Sequence, residues 1–461
     1  MPRNNPVSLC NTVIAAGGSS SRLNVGVEGD ASWGQLAAGS VVNEGHVGLR
    51  GRSVLLAVIS QFTAAAALMQ LDGLARRIVL FPPDMSRDHV AYAAATAEAD
   101  LILTDDPTVE AIDANVRCVR CAWQAGGREL DRQYPIETEW VLLTSGTTGV
   151  PKLVVHTLPT LSGAIQPGAS SAVWATFYDI RRYGGMQIFL RAALGGTTLV
   201  LKSAKEPVAD FLARAGSLGV THILGTPSHW RGALMSNATG KIAPQYVRLS
   251  GEISDQAILN QMRATYPEAK VVHAFASTEA GVVFEVKDGL TGFSPDVVGS
   301  NPQVETSLES GTLKVRSART AFRYLGANAP VLKGADGFVD TGDAVELRDG
   351  RYCFVGRQDG TINVGGMKVH PEEVEAVINR HPEVSVSLVR MKKNSIIGGL
   401  VVADVVLKKS SQPADSNVSI LQREILQFCR GELAQHKVPA AINFVPNLAV
   451  AESGKLIRPH A

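Results

Sequence analysis

Apolar residues in this chain gather in short runs, and the runs alternate between two lengths. Residues 54–59 (VLLAVI) form an unbroken apolar run, the pattern of a strand buried on both faces, and 62–71 continue at helical length. A second strand is predicted at 77–81, stopped by Pro82 and Pro83. Asp88 is the expected cap of a helix over 89–98, and 101–104 reads as a third strand. The alternation returns with strands at 196–201, 220–225 and 270–274 and helices at 208–215 and 255–265. Strand and helix in turn predict an α/β fold built on a largely parallel sheet.

Past residue 290 the helical pattern thins. Short strands at 311–316, 343–348 and 351–355, set between Gly-rich turns, predict a β-rich subdomain over 290–356. After Gly356 the pattern becomes α+β. A helix opens at Pro371, where a missing N–H costs nothing, with Glu372 and Glu373 at its positive end. Val374, Val377 and Ile378 supply its apolar face, and Pro382 is its expected stop. A chain of 461 residues exceeds what one core supports. The predicted division is a large domain, 1–356, and a small mobile C-terminal domain, 357–461, with the boundary at 356–360.

Charge and cysteine content narrow the partners. The 44 Lys+Arg nearly balance the 43 Asp+Glu, which argues against a nucleic-acid protein and towards small molecules. Five scattered cysteines do not form a disulfide framework, so a reducing cytoplasm is expected. Cys118 and Cys121 form a C-x-x-C without the second pair that a zinc site needs; they read as two thiols on a strand. The most apolar window, Val54 to Leu71, is broken by Ser60, Gln61 and Thr63, and no membrane span is expected.

The most informative stretch is Thr144-Ser145-Gly146-Thr147-Thr148-Gly149-Val150-Pro151-Lys152, which follows the apolar strand Trp140 to Leu143. Its hydroxyls and backbone N–H groups donate, its glycines allow close approach, and Lys152 brings a point charge, all suited to polyphosphate oxygens. The spacing is not that of a P-loop, because Lys152 stands three places after Gly149 and is followed by Leu153. By itself the segment also reads as a Ser/Thr-rich surface turn. It resembles the phosphate loop of the acyl-adenylate-forming superfamily, which includes acyl- and aryl-CoA synthetases, luciferases and peptide-synthetase adenylation domains.

Four further motifs follow in the order that resemblance requires. Phe275-Ala276-Ser277-Thr278-Glu279 matches the aromatic-Gly-x-Thr-Glu motif, with Ala276 in place of Gly and Phe275 in place of the common Tyr. The match implies that Phe275 stacks on adenine, Thr278 contacts the α-phosphate and Glu279 helps to hold Mg²⁺. Thr341-Gly342-Asp343 matches the segment in which Asp343 accepts from both ribose hydroxyls; alone, it reads as a turn Asp at a strand start. Gly356-Arg357-Gln358-Asp359 and 364–375 match the hinge region, which implies ribose contact by Arg357 and rotation about Asp359. Ser453-Gly454-Lys455 stands where the superfamily carries its adenylation lysine. The motifs span 144–455, whereas the first 140 residues carry none and are shorter than usual for the superfamily.

The resemblance implies an ATP- and Mg²⁺-dependent ligase that forms an acyl-AMP, releases pyrophosphate and passes the acyl group to a thiol. Gly365 and Gly366, lacking side chains, suit a narrow channel for the thiol of coenzyme A. A carrier-protein phosphopantetheine, an amine acceptor and an inactive nucleotide-binding homologue stand as alternatives. Arg181, Gly251, Ala274 and Ala280 are the expected acid-pocket residues; Arg181 needs an anionic partner, either Asp179 or a second charge on the substrate.

Overall fold

The structure, a computed structural model, describes residues 8–15, 21–42, 48–109, 112, 116–126, 135–144, 150–166, 171–299, 301–394, 398–408, 417–451 and 455–458. Two eight-stranded sheets make up the larger part. In the first, Ser53–Ala57 pairs in parallel with Arg77–Leu80 and Leu101–Thr104, and Arg77–Leu80 pairs in parallel with Glu139–Thr144. In the second, Val173–Thr176, Thr198–Leu201, His222–Gly225, Tyr246–Ser250 and Lys270–Ser277 run parallel, closed by antiparallel Gly281–Val286.

The helix Gln61–Leu71 is buried along its whole length. Four consecutive alanines, Ala64 to Ala67, keep it thin enough to share one core with residues from both sheets. The motif-poor N-terminal region has a structural role. Arg22–Asn24 and Asp30–Ser32 extend the second sheet beyond Thr198–Leu201, while Ser40–Val42 pairs with Arg117–Gln124 in the first.

The β-rich part is a four-stranded antiparallel sheet whose strand Val339–Arg348 pairs with Arg351–Arg357. The C-terminal part is a five-stranded sheet dominated by the long hairpin Val384–Asn394 and Gly398–Leu407, backed by helices Pro371–Ile378 and Val418–Glu432.

Several local expectations need correction. Asp88 makes no side-chain cap bond, because it sits in right-handed helical geometry instead of the extended geometry that aims a cap oxygen at the first turn. The helix from Pro371 ends at Ile378, ahead of Pro382, with Asn379 at its C-cap. The Thr341-Gly342-Asp343 motif lies inside a strand that begins at Val339, and Phe275 to Ser277 are the last strand residues of Lys270–Ser277.

Candidate active site

The Thr144–Lys152 turn joins two antiparallel strands, with Thr144 directly opposite Lys152. A P-loop would instead lead from a strand into a helix, so topology agrees with the spacing argument. Ser145, Gly146, Thr147, Thr148 and Gly149 lie outside the described residues, as do Ser453 and Gly454. The short strand Arg323–Tyr324 lies against Lys152–His156 and brings Tyr324 to the turn's exit. Lys152 Nζ sits 5.4 Å from the Tyr324 ring centroid. The Tyr324 hydroxyl donates to Glu279 Oε1 at 3.3 Å. Two motifs separated by more than a hundred residues therefore meet through a tyrosine that has no place in either.

The turn after Lys270–Ser277 is pinned from three sides. His156 Nε2 lies 2.7 Å from the Thr278 carbonyl, with Nδ1 3.0 Å from Thr160 Oγ1. Ala321 N–H donates to the Glu279 carbonyl at 2.9 Å, and Ser277 Oγ accepts from Ala280 N–H at 3.0 Å. Burial pushes His156 down to about 4, so it stands neutral and serves as a fixed strut.

Phe275 stacks on Phe354, with centroids 4.8 Å apart and planes at 17°, and lies 5.8 Å from Phe284. One ring face is thus taken by the protein, and adenine stacking requires the other. Asp343 is held near Arg357, at 3.9 Å, while Arg357 Nε donates to Asp359 at 3.1 Å. Burial raises the Asp343 carboxyl to about 6, against the opposing pull of Arg357, the Thr341 hydroxyl and Lys455. Glu279 adds to that rise. Four residues from four separate motifs, Glu279, Asp343, Arg357 and Lys455, thus share one electrostatic environment.

Lys455 reaches this cleft from the C-terminal part. The tail folds back on itself, with Val450 bridged to Leu456 and Ala451 N–H donating to the Lys455 carbonyl at 2.8 Å. Leu456 N–H donates to Glu252 at 3.2 Å, and Arg458 forms a two-pronged pair with Glu375 at 2.7 and 2.8 Å. A Cβ added to Gly251 would lie 3.9 Å from Lys455 Cε, 3.6 Å from Thr226 Cγ2 and 3.8 Å from the Tyr178 hydroxyl. Gly251, at φ +87°, therefore opens a space bounded by those three side chains.

The acid-pocket expectations divide. Gly251 faces that space. Ala274 pairs with Ser250 on the neighbouring strand and is mostly buried. Ala280 has no exposed surface and belongs to the core of the β-rich part, around Phe293 and Leu313, so it lines no pocket. Arg181 is also fully buried and turned into the protein. Its Nε donates to Asp179 at 2.7 Å, its Nη2 to the other Asp179 oxygen, and its Nη1 to the carbonyls of Val58 and Ile59. A guanidinium satisfied in this way ties the 177–182 loop to the end of a strand of the first sheet, and the second-anion reading is withdrawn.

Residue patterns missed Tyr178, Thr226, His229, Glu252 and Tyr324. Tyr178 donates to the Ser250 carbonyl at 2.6 Å and meets His229 edge-on at 5.6 Å. His229 stacks on Phe177 at 5.3 Å and is pushed down to about 3 by burial, with Lys202 contributing. A signal existed for part of this: Thr226-Pro227 opens a helix, and its capping box makes the backbone N–H of His229 a donor to Thr226. At the other predicted positions, Gly365 and Gly366 form the tip of the hairpin between Ile362–Val364 and Met367–Val369, with open space around them in this pose. Cys121 is buried, with its thiol pushed up to about 12, which suits neither redox chemistry nor metal binding. Among the described residues no cluster of three or more His, Cys, Asp or Glu could hold a metal, and no helix is long and apolar enough to cross a membrane.

Comparison with known proteins agrees with this geometry. The 2-succinylbenzoate–CoA ligase of Bacillus licheniformis is 25% identical over 415 residues, covering 83% of each chain. That of Salmonella typhimurium is 30% identical over 311 residues, covering 64% of this chain and 62% of the relative. A crystal structure of an anthranilate CoA ligase in complex with anthranoyl-AMP superposes with a TM-score of 0.81 at 17% identity, covering 98% of this chain and 96% of that one. The family model described as AMP-binding enzyme matches residues 59–310, and the AMP-binding enzyme C-terminal domain matches 373–455. With more than half its length in the first of these matches, and its nucleotide-type motifs drawn together in one cleft, this chain belongs to the AMP-binding enzyme family.

Proposed function

We propose that this protein is an acid–thiol ligase: it activates a carboxylic acid with ATP as the acyl-adenylate, releasing pyrophosphate, then transfers the acyl group to coenzyme A. The observation that carries the reading is the placement of Lys455. A cation from the C-terminal tail stands beside Gly251 and within the field of Asp343. In the first step a carboxylate oxygen attacks the α-phosphorus, and the bond to the leaving pyrophosphate breaks. Such a transfer asks the protein chiefly for positioning and charge stabilisation. Lys455 would bridge the substrate carboxylate and the α-phosphate. Thr278, on a turn fixed through His156, would hold an α-phosphate oxygen. Asp343 and Arg357 would orient the ribose, Phe275 would offer its uncovered face to adenine, and the 144–149 turn with Lys152 would cradle the outer phosphates.

Glu279 is half-buried and bonded to Tyr324, whose ring lies 5.4 Å from Lys152 Nζ. One carboxylate suits Mg²⁺, which retains waters and relies on substrate phosphates for its other ligands. Bound there, Mg²⁺ would supply charge neutralisation for the triphosphate.

For the second step the small domain, 357–461, would turn about Asp359 relative to 1–356, withdrawing Lys455 and bringing the Gly365–Gly366 hairpin to the anhydride. There a thiolate attacks the acyl carbon and AMP leaves. Free coenzyme A is favoured as acceptor because curated relatives across several bacteria are named CoA ligases. A carrier-protein thiol is the second reading, supported by a 22% identical dimodular nonribosomal peptide synthase of Bacillus subtilis. A cytoplasmic location is the reading that five scattered cysteines, with no disulfide framework, support.

The test is a pyrophosphate-release screen with MgATP over short, long and aromatic acids, followed by thioester detection with free coenzyme A. Release with some acid, then acyl-CoA, supports the reading. Acyl-AMP without thioester moves the acceptor to a carrier or an amine. No release with any acid overturns it.

A further inference from the structure

Resting on the two-step reading above, we propose that the loop after Gly251 is a releasable clasp whose acidic residues select the adenylating pose. Glu252 grips the tail beside Lys455, and Asp255 grips the small domain's first helix. Glu252 is itself braced, accepting from Ser228 N–H and Ser228 Oγ at 3.0 Å each, so its free reach is spent on Leu456 N–H. Its charge also attracts Arg458, two residues beyond Leu456.

Three residues further along, Asp255 divides its oxygens. Oδ1 caps the helix Gln256–Thr265 through Ile258 N–H at 2.9 Å. Oδ2 accepts from Arg231 at 2.6 Å and from the Asn379 amide at 3.2 Å. Asn379 is the C-cap of Pro371–Ile378, and its own oxygen accepts from Ser387 at 2.9 Å inside the small domain. Both grips thus sit on one short loop of the large domain, and both must part before the small domain can turn. Each is a single hydrogen bond from a neutral donor to a carboxylate, half-buried at Glu252 and buried at Asp255, strong enough to bias a pose and weak enough to release. Neither Asn379 nor Asp255 touches the reacting atoms; they are positioning residues.

The clasp can be reversed chemically. Asn379→Asp keeps the acceptor for Ser387 but sets a second carboxylate against Asp255, whose Arg231 is already engaged. The paired substitution Asp255→Asn with Asn379→Asp exchanges donor and acceptor across the contact, and the negative charge that Arg231 loses at 255 is returned next to it at 379. Asn also serves as an N-cap, so the helix Gln256–Thr265 keeps its cap.

Hydrogen exchange in the protein without added ligands reads the clasp independently of any acid. In the single variant the Leu456 amide should exchange about tenfold faster, equivalent to ~1.4 kcal/mol. The double variant should return to the wild-type rate, and amides of Val384–Asn394 should stay protected in both, reporting an intact small domain. With an acid chosen by the pyrophosphate screen, the single variant should form acyl-AMP about tenfold more slowly yet convert supplied acyl-AMP to thioester at the wild-type rate. Unchanged Leu456 exchange, failure of the double variant to recover, or equal loss in both half-reactions would overturn the clasp. Wild-type protein that releases no pyrophosphate would overturn the ligase reading and leave the exchange result to stand alone.

Discussion

Asp343→Asn should make the protein more stable at neutral pH while weakening its hold on ATP. The Asp343 carboxyl is raised from 3.8 to about 6, chiefly by burial, with Arg357, Thr341 and Lys455 pulling the other way. Below about pH 4 the folded and unfolded chains both carry the proton, and the group contributes nothing. Between about pH 4 and pH 6 the unfolded chain ionises while the folded chain keeps its proton, so stability falls as pH rises. Above about pH 6 both are ionised and the loss is complete. A shift of about two pH units corresponds to ~3 kcal/mol at about 1.36 kcal/mol per unit. The side chain keeps 21% of its surface exposed, which trims the expectation to roughly 1–3 kcal/mol.

Asn carries no charge to desolvate. Urea unfolding of wild type and variant from pH 4 to pH 8 should therefore show a gap near zero at the acid end, opening to that size by neutrality. An amide offers one acceptor oxygen where the carboxylate offers two, so ATP titration at pH 8 should show at least about tenfold weaker binding. A variant less stable than wild type at pH 8, or a gap that does not change with pH, would mean that burial does not hold the proton on Asp343.

Arg181→Met takes the two-pronged partner from the mostly buried Asp179, leaving Arg182 as a weaker nearby charge, and should cost about 3–5 kcal/mol in urea unfolding. Asp179→Leu with Arg181→Met should recover much of that loss, and the order of preferred acids should not change in either. Gly251→Val places a branched side chain at φ +87° beside Thr226, Tyr178 and Lys455. It should cost ~1–2 kcal/mol of stability and lower kcat/KM more for bulky acids than for acetate; a uniform loss across acid sizes would remove Gly251 from the pocket wall.

The parallel-sheet strands were legible because a strand buried on both faces leaves an unbroken apolar run, as at Val54 and Leu101. Strand ends were less so: Val339 and Asp340 belong to a strand because they pair with Val315 and Lys314 of Thr312–Ser317, a non-local fact. The nucleotide motifs were readable because backbone approach and phosphate charge demand particular residue types close together in sequence. Tyr324, Tyr178 and Glu252 were not, since each serves the site through a contact with a residue far away in the chain. Arg181 and Ala280 misled for the same reason. Local sequence identifies a cation or a small residue, but whether it faces a pocket depends on what packs around it.

The proposed ligase cycle requires that Lys455 act in adenylation and withdraw before thioester formation. The direct measurement is Lys455→Ala assayed separately in the two half-reactions, with the acid found by the pyrophosphate screen. Acyl-AMP formation should fall by at least about a hundredfold, on the scale of removing one preorganised charge-stabilising group, while thioester formation from supplied acyl-AMP stays near normal. Undiminished acyl-AMP formation, or equal losses in both half-reactions, would contradict that cycle.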